Sequence, residues 1–303
     1  MGQTRIKLLH VEDDDIDAYL MQELLLQNPD QYRYDITRRV SLGGALKCLN
    51  NEEFDAVLLD MHLTDIEGID NVKAIKEQNP DIPVIVLSGV DNDTYALETI
   101  DHGAQEFLVK GYCNSKVLQR CVQTSIRRKL IERKLFQQAN FDDVTGLPNR
   151  RLFQEYVNAA LVKAQRWKRQ EALLFLDIDN FKTINEQYGY KVGNDVLKET
   201  AVRMASHIRR SDIIARYGAD EFVVLLDNQG KDVRDAAVMA ATKLLYAFQE
   251  PYMHSVRDIK IDVSLGIAIY PEHGEEFTLL MGKADSAMLK AKKRDQLKYE
   301  FAA

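Results

Sequence analysis

Two sets of acidic residues, each attended by a lysine, could do chemistry in this chain. The first is Glu12-Asp13, Asp60, Ser88 and Lys110, each standing where a short run of Val, Ile or Leu stops. If those runs are neighbouring strands, the five groups meet on one rim. Crowded carboxylates repel, and a divalent cation relieves the repulsion. Mg²⁺ suits them because it is hard, prefers oxygen and keeps positions open for a phosphoryl oxygen. Asp60 is then placed as a nucleophile towards phosphorus, while Ser88 and Lys110 meet the oxygens of the arriving group. A single strand-end Asp is ordinarily a helix cap or turn residue, so it is the five together that point to this chemistry. The second set is Asp177, which ends an apolar run, and Asp220-Glu221, which lie between two others, with Lys182 nearby. Face to face, these acids hold one or two Mg²⁺ ions, orient a triphosphate and activate a hydroxyl for in-line attack. Lys182 is a point cation for phosphate.

Positioning the first set takes alternating strands and helices. The β-rich runs are Ile6–Val11, Tyr34–Val40, Ala56–Leu59, Pro83–Leu87 and Gln105–Val109, with helical apolar spacing between them, as at Val72/Ile75/Lys76. Near-continuous apolar strands between helices predict a doubly wound α/β fold. Its five-stranded parallel sheet is covered on both faces and binds ligands at the strands' carboxyl ends. From Lys116 to about Asn140 the spacing of Leu118, Cys121/Val122, Ser125/Ile126, Leu130 and Leu135 predicts one helix with a basic outer face and no Pro or Gly. It is either the first domain's last helix extended or a signalling helix that pairs with a second copy as a short coiled coil.

The second half opens with Asp142–Arg150, rich in turn and cap residues, and a helix to about Trp167. A strand at Ala172–Leu176 and a helix over Lys191–His207 follow. Ile213–Tyr217 and Phe222–Leu226 form a hairpin around Gly218-Ala219-Asp220-Glu221. A helix over Val233–Phe248, a β-rich run Ile259–Tyr270 and a helix Phe277–Lys293 complete the pattern. This predicts an α+β domain with helices on one face of its sheet.

The boundaries implied are a domain over 1–125, a helical connector over 126–140 and a domain over 141–303, in a chain of 303 residues. Their net charges are -11, +4 and 0. An acidic first domain argues against nucleic acid as a partner. No apolar run approaches a membrane span. Three cysteines, Cys48, Cys113 and Cys121, show no metal spacing and fit a reducing, cytoplasmic setting.

About residues 4–125 resemble the receiver domain of two-component response regulators, which has a flavodoxin-like fold. The resemblance rests on Leu8–Asp14, Val57–Leu63, Val86–Gly89 and Phe107–Gly111. It implies that Asp60 is the phosphoacceptor, charged by a sensor histidine kinase or a phosphotransfer protein. It further implies that Asp13, Asp60 and the backbone carbonyl of His62 bind Mg²⁺, that Glu12 assists through water, and that Phe107 is the aromatic switch. Thr64 stands where Pro is usual, and Gly111 where Pro usually follows the Lys.

About residues 140–300 resemble the GGDEF (diguanylate cyclase) family, a nucleotidyl-cyclase-like fold. The motifs are Asp142–Arg150, Asp177–Asn185, Arg216–Phe222, Val263–Ala268 and the stretch from Ala284-Asp285. The resemblance implies that Asp177, the carbonyl of Ile178 and Asp220 bind Mg²⁺, and that Asp220 or its neighbour Glu221 deprotonates the ribose hydroxyl. Lys182 would stabilise the transition state, Asn185 read guanine and Lys292 contact phosphate. Two such domains, each with one GTP, make cyclic di-GMP, which implies a homodimer. Departures surround this site. Ala219 replaces the second signature Gly, Asn194 replaces an Asp that faces guanine, and Glu186 and Tyr190 replace Asp and His. Asp295-Gln296 replaces a Gly-Arg pair, losing a phosphate cation. These changes imply a weak or absent cyclase; an active, phosphorylation-controlled cyclase is the alternative. Arg209-Arg210-Ser211-Asp212 matches the family's inhibitory motif, in which Arg209 and Asp212 bind cyclic di-GMP. A domain with weak or absent cyclase activity would sense cyclic di-GMP there or contact a partner protein.

Overall fold

The computed structural model describes residues 4–27, 32–66, 68–89, 93–227, 232–253, 258–294 and 298–303. The chain forms two compact units, Met1–Phe136 and Gln137–Ala303. No helix among the described residues is long and apolar enough to cross a membrane.

The first unit runs β1 (Thr4–Val11), α1 (Asp15–Leu26), β2 (Tyr32–Arg39), α2 (Leu42–Asn51), β3 (Ala56–Asp60), α3 (Ile69–Gln78), β4 (Val84–Ser88), α4 (Asp93–Asp101), β5 (Glu106–Val109) and α5 (Ser115–Asn140). The strands form one parallel sheet in the order β2-β1-β3-β4-β5. Alternate residues of each strand serve opposite faces. Leu9, Val11, Val57, Leu59 and Val86 pack with Leu42, Val72 and Ile75 of α2 and α3. Leu8, Leu58, Ile85 and Leu87 pack with Met21 and Leu25 of α1 and Leu118 and Val122 of α5. Both parities are apolar because both faces are covered, as expected from the unbroken Val/Ile/Leu runs. Asp14 is the N-cap of α1 and accepts from the N–H groups of Ile16 and Asp17. This local role takes Asp14 out of the acidic run and leaves Glu12 and Asp13 for the rim.

Helix α5 is continuous for 26 residues. Its first turns are buried by Leu118 and Val122, whereas Leu130, Ile131, Leu135 and Phe136 are exposed.

The second unit continues with α6 (Arg150–Trp167), β6 (Glu171–Ile178), α7 (Phe181–Tyr188), α8 (Tyr190–His207), β7 (Ile213–Arg216), β8 (Glu221–Leu226), α9 (Val233–Ala247), β9 (Tyr252–Met253), β10 (Asp258–Ile259), β11 (Val263–Tyr270), α10 (Phe277–Lys292) and β12 (Tyr299–Phe301). Its main sheet is β12-β11-β6-β8-β7, antiparallel except where β12 joins β11. The hairpin of β7 and β8 forms as expected. The expected one-sided arrangement of helices does not. Leu174, Leu176 and Ile178 pack with α7, α8 and α9, while Leu173 and Phe175 pack with α6 and α10. Strand β6 is apolar at both parities, and a strand of that kind requires cover on both sides. Gly189, at φ 84°, separates α7 from α8 and permits the chain to turn between them.

Candidate functional site

The carboxyl ends of β1, β3, β4 and β5 gather the first set. One carboxylate oxygen each from Glu12, Asp13 and Asp60 lies within 4.8 Å of the others, the only such acidic trio among the described residues. Lys110 Nζ is 2.8 Å from Asp60 Oδ1, 2.6 Å from Glu12 Oε2 and 2.7 Å from Asp17 Oδ2. Burial alone would lower the Lys110 pKa, but three carboxylates overcome it and hold the ammonium charged. Burial pushes the Glu12 pKa up, and Lys110 works against that. Ser88 ends β4 in a buried position, and β4 pairs Leu87 with Asp60 and Ser88 with Val109. Phe107 packs, partly buried, against the core beside α2 and α3. Three hard oxygens this close, with Asp13 still half-buried rather than sealed, fit a hard divalent cation such as Mg²⁺.

The loop after β3 is tied to these acids. The His62 N–H donates to Asp60 Oδ2 at 2.9 Å, and the Thr64 N–H donates to Asp13 Oδ2 at 3.0 Å. Thr64 therefore does something proline could not, because proline has no N–H. Two neighbours carry no motif and were not foreseen. Asp17 is the third partner of Lys110. Arg38 on β2 donates to the carbonyls of Glu12 and Asp13 at 3.0 and 3.1 Å and pairs with Asp15. The buried His10 beneath them has no partner at either ring nitrogen. Burial, aided by Lys110 and Arg38, pushes its pKa down to about 4, so the ring is neutral at pH 7.

In the second unit β6 lies against β8, so Asp177 pairs with Glu221 and the Ile178 N–H donates to the Asp220 carbonyl at 3.1 Å. The hairpin thus brings Asp220 and Glu221 beside Asp177, as the motif spacing required. Burial raises the pKa of both Asp177 and Glu221, and the neighbouring carboxylates add to the rise. No three of these carboxylates gather as closely as Glu12, Asp13 and Asp60 do. Lys292 from α10 supplies the counter-charge: its Nζ is 2.5 Å from Asp177 Oδ1 and 3.9 Å from Asp179 Oδ1.

The signature turn is held by Arg216. It donates to the carbonyls of Gly218 (3.2 Å) and Ala219 (2.6 Å) and forks onto both oxygens of Asp142 at 3.0 Å. The opening motif Asp142–Arg150 is therefore a brace, which its turn chemistry alone did not reveal. At Ala219, where the family has its second signature Gly, φ lies outside the left-handed region, so the Cβ strains no backbone there. A Cβ at Gly218 would stand 2.2 Å from Glu221 Oε2, so a side chain there would displace the Glu221 carboxylate.

Other members are placed differently. Lys182 is highly exposed, pairs with Glu186 at 3.7 Å and makes no ion pair with Asp177, Asp220 or Glu221. The structure does not bring it to the carboxylates. Asn185 on α7 meets α8, where a Cβ on Gly193 would lie 1.9 Å from Asn185 Oδ1. The absence of a side chain at Gly193 leaves room for Asn185, and Asn194 is exposed. Asp295 and Gln296 lie outside the described residues. In the loop after α8, Asp212 Oδ2 accepts the Arg209 N–H at 3.1 Å and Asp212 Oδ1 accepts the Asp227 N–H at 3.0 Å. Asp212 organises the loop, and Arg209 forms no side-chain ion pair with it, leaving an exposed guanidinium.

The model of the GGDEF diguanylate cyclase domain matches residues 139–298, and that of the response regulator receiver domain matches residues 8–122. The bifunctional diguanylate cyclase/cyclic di-GMP phosphodiesterase MucR of Pseudomonas aeruginosa is 40% identical over 178 residues, covering 59% of this chain and 25% of that protein. The response regulator PleD of Caulobacter vibrioides is 26% identical over 265 residues, 84% of this chain and 56% of that protein. The chain spans only 25% and 21% of the first two curated relatives it matches. The crystal structure of the GGDEF domain of TpbB from Pseudomonas aeruginosa superimposes with a TM-score of 0.50 at 36% identity, over 52% of this chain and 98% of that one. With motifs, sheet order and family match in agreement, the chain belongs to the GGDEF diguanylate cyclase family and carries a response regulator receiver domain ahead of its GGDEF domain.

Proposed function

We propose that this chain is a response regulator of cyclic di-GMP signalling, phosphorylated on Asp60 by a histidine kinase or phosphotransfer protein and controlling a GGDEF domain with weak or absent cyclase activity. The observation that carries the proposal is the Asp60 site: a buried strand-end carboxylate in one cluster with Asp13, Glu12 and Lys110, in the same chain as a GGDEF hairpin. Glu12, Asp13 and Asp60 would hold Mg²⁺, as would Asp177, Asp220 and the Ile178 carbonyl. When bound, Mg²⁺ neutralises carboxylate charge and phosphate charge together. Asp60 attacks phosphorus through a carboxylate oxygen as the bond from phosphorus to the donor's histidine nitrogen breaks and the imidazole leaves; Lys110 turns from Asp60 to the new phosphoryl oxygens, with Ser88 as the neighbouring hydroxyl.

Exposed Ile131 and Leu135, four residues apart on one face of the outer half of α5, offer an apolar strip for a second copy, with exposed Leu130 and Phe136 at its flanks. A phosphoryl group shifts the receiver only by favouring one of two states. Sedimentation velocity at micromolar concentrations, with and without beryllofluoride as phosphate mimic, is expected to show dimer gained with the mimic. Identical profiles would count against this control.

Cyclic di-GMP is expected to bind through Arg209. Its exposed guanidinium can fork onto phosphate or guanine, while Asp212, though tied to two N–H groups, retains acceptor capacity. Losing a charge-assisted contact of this type costs on the order of 2 kcal/mol, so Arg209→Ala should weaken binding at least about tenfold by calorimetry. No saturable heat from the unaltered protein would remove the sensing role.

A full-strength cyclase is the second reading, favoured by the unstrained Ala219.

A further inference from the structure

Beside the carboxylates of the GGDEF hairpin lies a cluster to which no role has been given: Asp179 and Ser264, from two of the motifs, and Lys298, which lies in none of the quoted stretches. Asp179 is nearly buried. Its two oxygens accept the Ser264 hydroxyl at 2.9 and 3.1 Å, and Lys298 Nζ is 3.1 Å from Oδ2. Lys292 stands 3.9 Å from the other oxygen while bonded to Asp177. One carboxylate therefore has two ammonium groups beside it. Sheet register explains the placement. The Leu265 N–H donates to the Lys298 carbonyl, Ser264 pairs with Asp177, and Asp177 pairs with Glu221. Lys298 is thus level with the acidic pair, at the start of the edge strand β12, two strands from Asp177.

We infer that Lys298 is a triphosphate-binding residue of the GGDEF site, taking the place of the phosphate cation absent at Gln296; this rests on Asp177 and Asp220 being the metal and triphosphate site. A divalent cation at Asp177 repels the Lys292 ammonium, which keeps Asp179 within reach. Asp179 already accepts a hydroxyl and cannot satisfy two ammonium groups equally. Lys298 is one-third exposed and its pair with Asp179 is partly solvated, so that pair is weak and readily exchanged for a stronger anion. A triphosphate brings several negative charges to the same strand end, and a flexible lysine stem lets the ammonium follow them.

The test uses the full chain and 3′-deoxy-GTP, which lacks the attacking hydroxyl and stays intact, titrated by calorimetry in Mg²⁺ beside guanosine, which has no phosphate. Lys298→Met is expected to lose about tenfold in affinity for 3′-deoxy-GTP, the scale of one charge-assisted contact, with a shallower salt dependence and unchanged guanosine binding. Lys298→Arg, which keeps the charge, should stay within about twofold of the unaltered protein. Unchanged affinity in Lys298→Met, with a clear loss in Lys292→Met, would overturn the role of Lys298 alone. Equal losses for guanosine and 3′-deoxy-GTP would make Lys298 structural. If neither lysine variant changes triphosphate binding, the nucleotide site itself is misplaced and the inference falls with it.

Discussion

Asp60→Asn protein, incubated with acetyl phosphate and Mg²⁺, is expected to acquire no phosphoryl group while the unaltered chain is labelled. The substitution keeps the size of the side chain and an oxygen for the His62 N–H, so the loop after β3 retains its anchor. What it removes is the anionic nucleophile, and an amide does not replace a carboxylate in attack on phosphorus. Lys110 keeps Glu12 and Asp17 as partners at 2.6 and 2.7 Å, so the rim does not lose its cation. A chemical step that loses its nucleophile falls by orders of magnitude. Intact-mass spectrometry should therefore show the added phosphoryl mass only in the unaltered protein, with melting temperatures of the two compared as the check on folding. Labelling that survives in Asp60→Asn would move the nucleophile elsewhere on the rim, to Glu12 or Asp13.

The second large effect is on turnover. Formation of cyclic di-GMP from GTP is expected to be slow even with the receiver held active by beryllofluoride, and Asn194→Asp is expected to raise it. Guanine presents two adjacent donors on the edge concerned. A carboxylate accepts both, whereas an amide offers one acceptor and turns a donor towards the other. A good bidentate contact to a base edge is worth about 1–3 kcal/mol, which is about fivefold to 160-fold in kcat/KM if it is felt in the transition state. Phosphoryl transfer depends almost wholly on positioning and charge, so a loosely held base lowers the rate as well as the affinity. From motifs alone, Ala219→Gly and Gln296→Arg deserve equal weight. The structure bears on the first directly and, through Lys298, on the charge the second would add. Ala219 has no left-handed φ to relieve, so Ala219→Gly should change turnover by less than about twofold. With Lys298 beside the site, Gln296→Arg should add less than a full cation's worth. Chromatographic measurement of product under matched activation separates these variants. Fast turnover by the unaltered chain, with no gain from Asn194→Asp, would make the active cyclase the correct description.

Much of both sites was legible because strand ends are local features. Glu12-Asp13, Asp60, Ser88 and Lys110 each stop an apolar run, and parallel strands place such stops on one edge whatever the detail of packing. Asp177 and Asp220-Glu221 were legible for the same reason, because an antiparallel hairpin beside β6 brings its turn to the end of that strand. The structural role of Asp14 is equally local, a cap two and three residues before the N–H groups it accepts.

Contacts formed across the sheets were not legible. Arg38 reaches the carbonyls of Glu12 and Asp13 only because β2 is the neighbour of β1. Asp17 meets Lys110 across 93 residues of chain, and Lys292 meets Asp177 across 115. Lys182 sits in the motif that contains Asp177, yet the turn from β6 into α7 carries its side chain out to solvent, where it pairs with Glu186. The sequence by itself determined which carboxylates end strands, where the hairpin turns and that a long helix follows the receiver, since period, turn chemistry and apolar runs act over a few residues. The tertiary structure alone decided that helices cover both faces of the second sheet, that the Glu221 carboxylate lies against Gly218, and that Lys292 and Lys298 converge on Asp177 and Asp179. Those outcomes depend on strand order and on distances between distant segments, for which no local pattern codes.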